Sequence, residues 1–405
     1  MRSVEMKLLN TALTGEADPV KFERERLAEF FALGRDKGWD TTARRWTVTQ
    51  LMDVKGRVPT FGELVDGIDP QMPVGWSGDR YGAPQLRRNI VASLRYQLGP
   101  DNVLVTLGCQ NANFLATLAL LSPGEVALLE VPTWMHMHAV CSGLGARIQT
   151  IARREELGWR FDVDELKAIL TPETRLFYFC QPNNPTGAAF SRVELDAILS
   201  AAARAGTWVV ADEIYRGLEW EGEMAPSVAD LYERGISTAS VSKTLGLDGL
   251  RIGWLVTRDR EFLETCCRIK QYVSTPHISG VDELLSTAAL EPNRFRDLLS
   301  RSRELGMRNR QIASEWIAAD PHFAWVPPQA GFMGFPRYSL PIDSWTFCHR
   351  LLDPPYGTYV IPGAPYHVEG HIRVAFGSSI SPEDLRAGLA MVSALAADVS
   401  RQRGV

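Results

Sequence analysis

The sequence predicts an α/β protein whose main domain is a mostly parallel sheet covered by helices on both faces. Two observations carry this expectation. From about residue 100 to residue 256, short apolar runs rich in β-branched residues alternate with longer amphipathic segments, as buried parallel strands joined by helical crossovers do. The chain is also long, 405 residues with 45% hydrophobic content, enough for two domains or for one large domain with a smaller companion.

The strand candidates are 103–107, 126–131, 175–180, 208–211, 238–241 and 252–256. Between them, a stretch such as 191–204 (SRVELDAILSAAAR) opens on a capping serine and repeats its apolar residues at helical spacing. A long charged helix is expected over 293–319, after which Pro/Gly-punctuated short pieces replace the regular alternation. We therefore expect a large domain over 56–310 and a small one over 311–405. Residues 1–55 carry little parallel-sheet pattern and are expected to form an N-terminal arm packing with the C-terminal part, which makes the small domain discontinuous.

The 43 basic and 48 acidic residues give −5, spread along the chain, so neither a nucleic acid nor an anionic membrane is the expected partner. Cys109, Cys141, Cys180, Cys266, Cys267 and Cys348 lack the paired spacing of a zinc site and read as reduced thiols, with no metal expected. The N-terminus has no long apolar core of a signal peptide and no apolar run reaches about 18 residues. A cytoplasmic protein acting on small molecules is the expectation.

Covalent amine chemistry needs a lysine whose amine is nucleophilic near neutral pH. Lys243 follows a strand candidate and begins the glycine-rich turn of SVSKTLGLDGLRIGW, 240–254, and ligands bind at the carboxyl ends of strands in such sheets. A loop lysine is ordinarily solvated, but its neighbours argue otherwise. Arg251 stands beside an apolar strand, where a charge calls for a partner such as a phosphate, and Ser240 and Ser242 add hydroxyl donors. Asp212 ends the buried run of WVVADEIYRG and Tyr215 follows it; a protonated pyridine nitrogen is a cation that such a carboxylate can meet. QPNNPTG (181–187) forms a rigid polar turn after another strand. Gly108 leads into a helix-like run that offers backbone N–H groups to a phosphate.

Together, NNPTG, ADEIY, SxSKTxGxxGxRxGW and IRVAFG, in this order and over about residues 80–380, resemble the fold type I, aspartate-aminotransferase-like (class I/II) family of pyridoxal-phosphate enzymes. The resemblance implies a large domain with a seven-stranded, mostly parallel sheet sandwiched by helices. It also implies a cofactor, pyridoxal 5′-phosphate, held as a Schiff base by Lys243. Asp212 then faces the ring nitrogen, Asn184 and Tyr215 face the ring's 3′-oxygen, and Trp134 stacks on the ring. Ser240, Ser242 and Arg251 grip the phosphate together with the backbone of Gly108, Cys109 and Gln110. Arg373 forks onto the substrate carboxylate, so an amino acid and a 2-oxo acid are the implied substrates, and the catalytic residues are Lys243, Asp212 and Tyr215. A homodimer is implied as well.

One departure stands out. The family usually carries a phosphate-binding tyrosine, reaching the partner subunit, five residues before the glycine of GxxxLR. Ser77 occupies that place here, before Gly82 and Arg87 and close to Trp76 and Tyr81. A second resemblance, in PPQAGFMGFPRYS (327–339) and the segment up to VIPG, is to capreomycidine-synthase-like members of pathways to arginine-derived amino acids, of the kind used in antibiotic biosynthesis. An aminotransferase, including one for a guanidino amino acid, is the leading expectation. A lyase or cyclase using the same constellation is an alternative, and a non-catalytic cofactor-binding regulator is another. The segment 39–46 (WDTTARRW) is a candidate cover for the site.

Overall fold

The computed structural model describes residues 19–40, 45–46, 48–72 and 75–402. Eight strands form the main sheet: β1 (Val103–Thr106), β2 (Val126–Val131), β3 (Arg147–Arg154), β4 (Arg160–Phe161), β5 (Thr174–Cys180), β6 (Trp208–Asp212), β7 (Gly235–Ser240) and β8 (Gly253–Thr257). Their spatial order is β1-β8-β7-β6-β5-β2-β3-β4. The pairs β2·β3, β2·β5, β5·β6 and β6·β7 are parallel. β8 runs antiparallel to both β7 and β1. Seven strands of four residues or more agree with the expected count, and the two-residue β4 adds an antiparallel edge to β3.

Five of the six strand candidates match within one residue at each end; 238–241 instead begins at Gly235 and ends at Ser240. β3 was not foreseen. Its RIQTIARR is polar because most of its residues face solvent near the sheet edge, leaving Ile151 and Arg153 buried. β6 and β7 are buried along their whole length and β5 everywhere but at Arg175, because helices cover both faces. One cover includes α1 (Cys109–Leu120), whose Ala112 and Ala116 pack with Leu129 and Val210; the other includes α2 (Arg192–Ala205), whose Leu195 and Ile198 pack with Phe177 and Val209. Ser191 caps α2 in a reciprocal capping box with Glu194, as its sequence predicts.

The expected long helix is one continuous rod, α3 (Pro292–Ala319), and residue 310 lies inside it. The N-terminal helix Pro19–Gly38 packs on the C-terminal part, where Phe30 is fully buried against Trp345 and Tyr359 with ring centroids 5.9 and 5.2 Å away. Thr49–Gln50 pairs in parallel with Thr358–Tyr359, and Ala375 N–H donates to the Leu51 carbonyl at 2.8 Å. On these contacts we propose a small domain built from 311–405 together with the arm before residue 55. Among the described residues no helix is long and apolar enough to cross a membrane.

Candidate active site

The carboxyl ends of β2, β5, β6 and β7 open into a cavity of about 520 Å³, where the topology of such a sheet places a ligand. Lys243 sits in the short helix Val241–Thr244 that follows β7. Its carbonyl accepts from the Gly56 N–H at 2.7 Å, so the arm crosses directly over the lysine. Burial holds the Lys243 pKa below the ordinary lysine value of 10.5, and the charge of Asp53 opposes that shift without cancelling it. The lysine therefore has the depressed basicity that a nucleophilic amine needs.

Asp212, the last residue of β6, is buried in the cavity floor among donors. The Asn113 amide donates to its Oδ2 at 2.8 Å and the Tyr178 hydroxyl at 3.3 Å. The Ile214 N–H reaches Oδ1 at 3.1 Å and the Cys109 thiol at 3.3 Å. Burial raises the Cys109 thiol well above its ordinary pKa, so it stays a neutral donor here. The carboxylate is oriented, yet no protein cation among the described residues donates to it, which suits it to a cationic ring nitrogen.

Arg373 is buried on the opposite wall and couples the two parts of the chain. Its Nη1 donates to Asn184 Oδ1 at 3.2 Å and its Nη2 to the Met52 carbonyl at 2.8 Å. The guanidinium lies 5.7 Å from the Trp134 ring centre. Tyr215 is buried beside them, its phenol held well above its ordinary pKa by burial.

At the other end, Gly108 (φ +83°) precedes α1, and a Cβ built there would fall 2.7 Å from Arg251 Nη2. Only glycine lets that guanidinium lie against the helix N-terminus. Arg251 itself holds a left-handed φ of +51° and donates through Nη1 to the Asp248 carbonyl at 2.8 Å. Ser242 lines the cavity with its hydroxyl 2.5 Å from that of Ser240, and Gln110 lies exposed on the first turn of α1. The start of α1, Arg251, the Ser242 hydroxyl, Lys243, Asp212 and Arg373 thus face one cavity. This donor set fits pyridoxal phosphate. The residues that the resemblance assigns to cofactor and substrate line this one cavity, except that Gly108 and Ser240 lie outside its walls.

Sequence reasoning passed over several cavity residues, among them His136, Asn113 and Asp53. His136 lines the cavity, and burial lowers its pKa. Asn113 lies inside an apolar helix with no motif to mark it, and Asp53 belongs to the arm. Ser77 lies in a separate surface hollow with Trp76 and Tyr81, and the Trp76 ring lies 4.2 Å from that of His277. Of the candidate cover 39–46, residues 41–44 fall outside the described residues, and Trp39–Asp40 pairs with Arg45–Trp46.

Known proteins give the same reading. The family Aminotransferase class I and II matches residues 71–392. Arginine–pyruvate transaminase from Pseudomonas aeruginosa is 28% identical over 334 residues, 80% of this chain and 83% of that protein. Capreomycidine synthase from Streptomyces vinaceus is 30% identical over 346 residues, 82% and 86% respectively. Among solved structures, a PLP-dependent aminotransferase from Streptococcus suis superposes with a TM-score of 0.82 at 24% identity, covering 92% of this chain and 97% of that one, which bears on the fold.

Proposed function

Because this chain belongs to the class I and II aminotransferase family and uses pyridoxal phosphate, we propose that it moves the amino group of a guanidino amino acid onto a 2-oxo acid. The cofactor, when bound, supplies an electron sink for the negative charge developed at the substrate α-carbon. The chain's own residues do the rest. Lys243 Nζ anchors the cofactor and then takes and returns the proton at the α-carbon. Arg373 binds the α-carboxylate as a fork, Asp212 holds the ring-nitrogen proton, and Asn184 and Tyr215 address the 3′-oxygen. Trp134 covers the ring, and Ser240, Ser242, Arg251 and the backbone at Gly108, Cys109 and Gln110 hold the phosphate.

The side-chain assignment rests on one observation, the charge balance of the cavity. Its cations are Lys55, Lys243, Arg251 and Arg373, and its carboxylates are Asp53, Asp212 and Asp248. Arg251 and Arg373 are committed to phosphate and carboxylate, Asp212 to the ring, and Lys55 donates to Asp248 at 3.1 Å. Asp53 shares Lys55 with Asp248, ion-paired at 3.5 Å, and accepts from the Ser379 hydroxyl at 3.5 Å; with two carboxylates on one lysine, Asp53 is the one we assign to the substrate. It also lines an adjoining cleft of about 430 Å³ with Gln50, Ser379 and Asp384, where among the lining residues there is no cation. A cationic side chain fits this cleft. The relative named arginine–pyruvate transaminase supports the same reading, and the likeness to capreomycidine synthase supports a place in specialised metabolism.

The test is a panel of amino acids with pyruvate as acceptor, following alanine and new 2-oxo acid. Arginine or another guanidino amino acid is expected to be turned over best. Substrate consumed well beyond one equivalent per active site with no acceptor present would instead assign the chain to a cyclase or lyase chemistry. Binding without any turnover would leave only the regulator. Asp53→Asn is expected to raise KM for the guanidino substrate about tenfold, the scale of a hydrogen bond to a charged group, with little change for a neutral amino acid. Any indirect effect through Lys243 falls on both substrates alike, so an equal change for the two would refute the assignment.

We also propose a homodimer. Phe61, Trp76 and Tyr272 are 68%, 45% and 88% exposed and are the apolar side chains we assign to its contact. Sedimentation at micromolar concentration is expected to give twice the chain mass, and variants Phe61→Glu and Tyr272→Glu to shift it towards the monomer.

A further inference from the structure

We infer that Asn113 and Thr238 form a positioning relay that fixes the Asp212 carboxylate and the tautomer of His136 behind the cofactor ring. None of the sequence motifs contains Asn113. It lies in the middle of α1, 0% exposed, and its amide faces the ends of β6 and β7. Thr238, also fully buried, is the residue of β7 in register with Asp212 of β6.

Hydrogen-bond valence determines how the relay is wired. The Asn113 amide carries one accepting oxygen and two N–H hydrogens. Were it flipped, its oxygen would face the Asp212 carboxylate at the 2.8 Å observed for Nδ2, two acceptors in contact inside a buried pocket, so the oxygen must point the other way. There it lies 2.6 Å from Thr238 Oγ1. The threonine hydroxyl has a single proton and a second acceptor, the Ala211 carbonyl, only at 3.4 Å. The proton therefore goes to Asn113.

Both amide hydrogens are then assigned. One meets Asp212 Oδ2; the other has His136 Nε2 at 3.3 Å and the Cys109 sulfur at 3.9 Å in reach, and goes to the nearer. That ring nitrogen must present its lone pair, which leaves the imidazole proton on Nδ1 and the ring neutral; a protonated ring would set N–H against N–H. Burial, which lowers the His136 pKa, favours the same state. His136 therefore does not compete as a cation for Asp212, and the charge of that carboxylate stays available to the ring nitrogen. Removing the Thr238 hydroxyl leaves the Asn113 oxygen without its donor, and the amide then holds Asp212 through its shortest bond less firmly.

The inference rests on the reading that Asp212 meets the ring nitrogen, so the experiment separates the two. Cofactor-loaded protein is prepared with isotope-labelled ring nitrogen, and its NMR resonance and the cofactor Kd are measured for the wild type and for Thr238→Val, Thr238→Ser, Asn113→Leu and Asp212→Asn. Thr238→Val preserves the side-chain shape, so it tests the relay even if Asn113→Leu fails to fold. The expected result is a resonance displaced towards the unprotonated position and a Kd raised about fivefold in Thr238→Val, the loss of one net hydrogen bond, with both restored in Thr238→Ser. If Asp212→Asn displaces the resonance and Thr238→Val leaves resonance and Kd at wild-type values, the relay is wrong while the Asp212 reading stands. An Asp212→Asn resonance identical to wild type overturns both.

Discussion

Replacing Lys243 by alanine is expected to lower turnover by roughly ten-thousand-fold, the upper range of a lost general acid–base group, and to abolish the visible absorbance of lysine-bound cofactor. Arg251, Ser242 and the start of α1 remain, so cofactor is still retained without the covalent link. Lys243→Arg is expected to behave like alanine, because a guanidinium keeps its charge at neutral pH and offers no nucleophilic lone pair. A pH experiment addresses the cause. The rate at which cofactor-free protein forms the covalent link follows the neutral fraction of the amine, which grows with pH. Because burial lowers the Lys243 pKa, that growth should be centred below the ordinary 10.5. A profile centred at 10.5 or above would remove burial as the source of reactivity, and turnover retained in Lys243→Ala would remove the lysine from the mechanism altogether.

The parts of this site legible in sequence are those whose chemistry is local. Lys243, Arg251 and the serines lie within twelve residues of one another, and Asp212 and Tyr215 share one strand end, so spacing alone brings them together. β2, β5 and β6 were legible because burial on both faces gives each an unbroken apolar run, 126–129, 176–180 and 208–211. What escaped depends on contacts between distant segments. Asn113 meets Asp212 across 99 residues and Thr238 across 125, and its own helix looks like ordinary core. Asp53 reaches the cavity because the arm is laid over Lys243 by the Gly56 hydrogen bond and tied to Arg373 through the Met52 carbonyl. β3 escaped for the opposite reason, since a strand near the sheet edge presents a polar face and hides the alternation that marks it.

β3 also carries the largest expected effect on stability. Arg153 and Glu130, on the neighbouring strands β3 and β2, have fully buried side chains 2.5 Å apart. The pair grips a single residue of β5 from both sides: Arg153 Nη2 donates to the Cys180 carbonyl at 3.0 Å, and Glu130 Oε1 accepts from the Cys180 N–H at 2.5 Å. Glu130 also accepts from the Asn183 amide at 3.0 Å, which ties the pair to the turn that sets Asn184 against Arg373. The guanidinium packs over Phe190 at 4.1 Å, so Arg153→Met keeps much of the volume while stranding a buried carboxylate. Breaking such a pair from one side costs about 3–5 kcal/mol, and the denaturant midpoint should fall accordingly with an unchanged slope. Glu130→Leu combined with Arg153→Met removes both charges and should recover part of that loss, although the Cys180 N–H and Asn183 amide then lack their acceptor. The double variant should therefore refold the domain yet bind the amino acid poorly, with KM raised more than kcat is lowered. A single variant that loses under about 1 kcal/mol would place this pair with exposed ion pairs and remove its claim to hold the Asn184 turn.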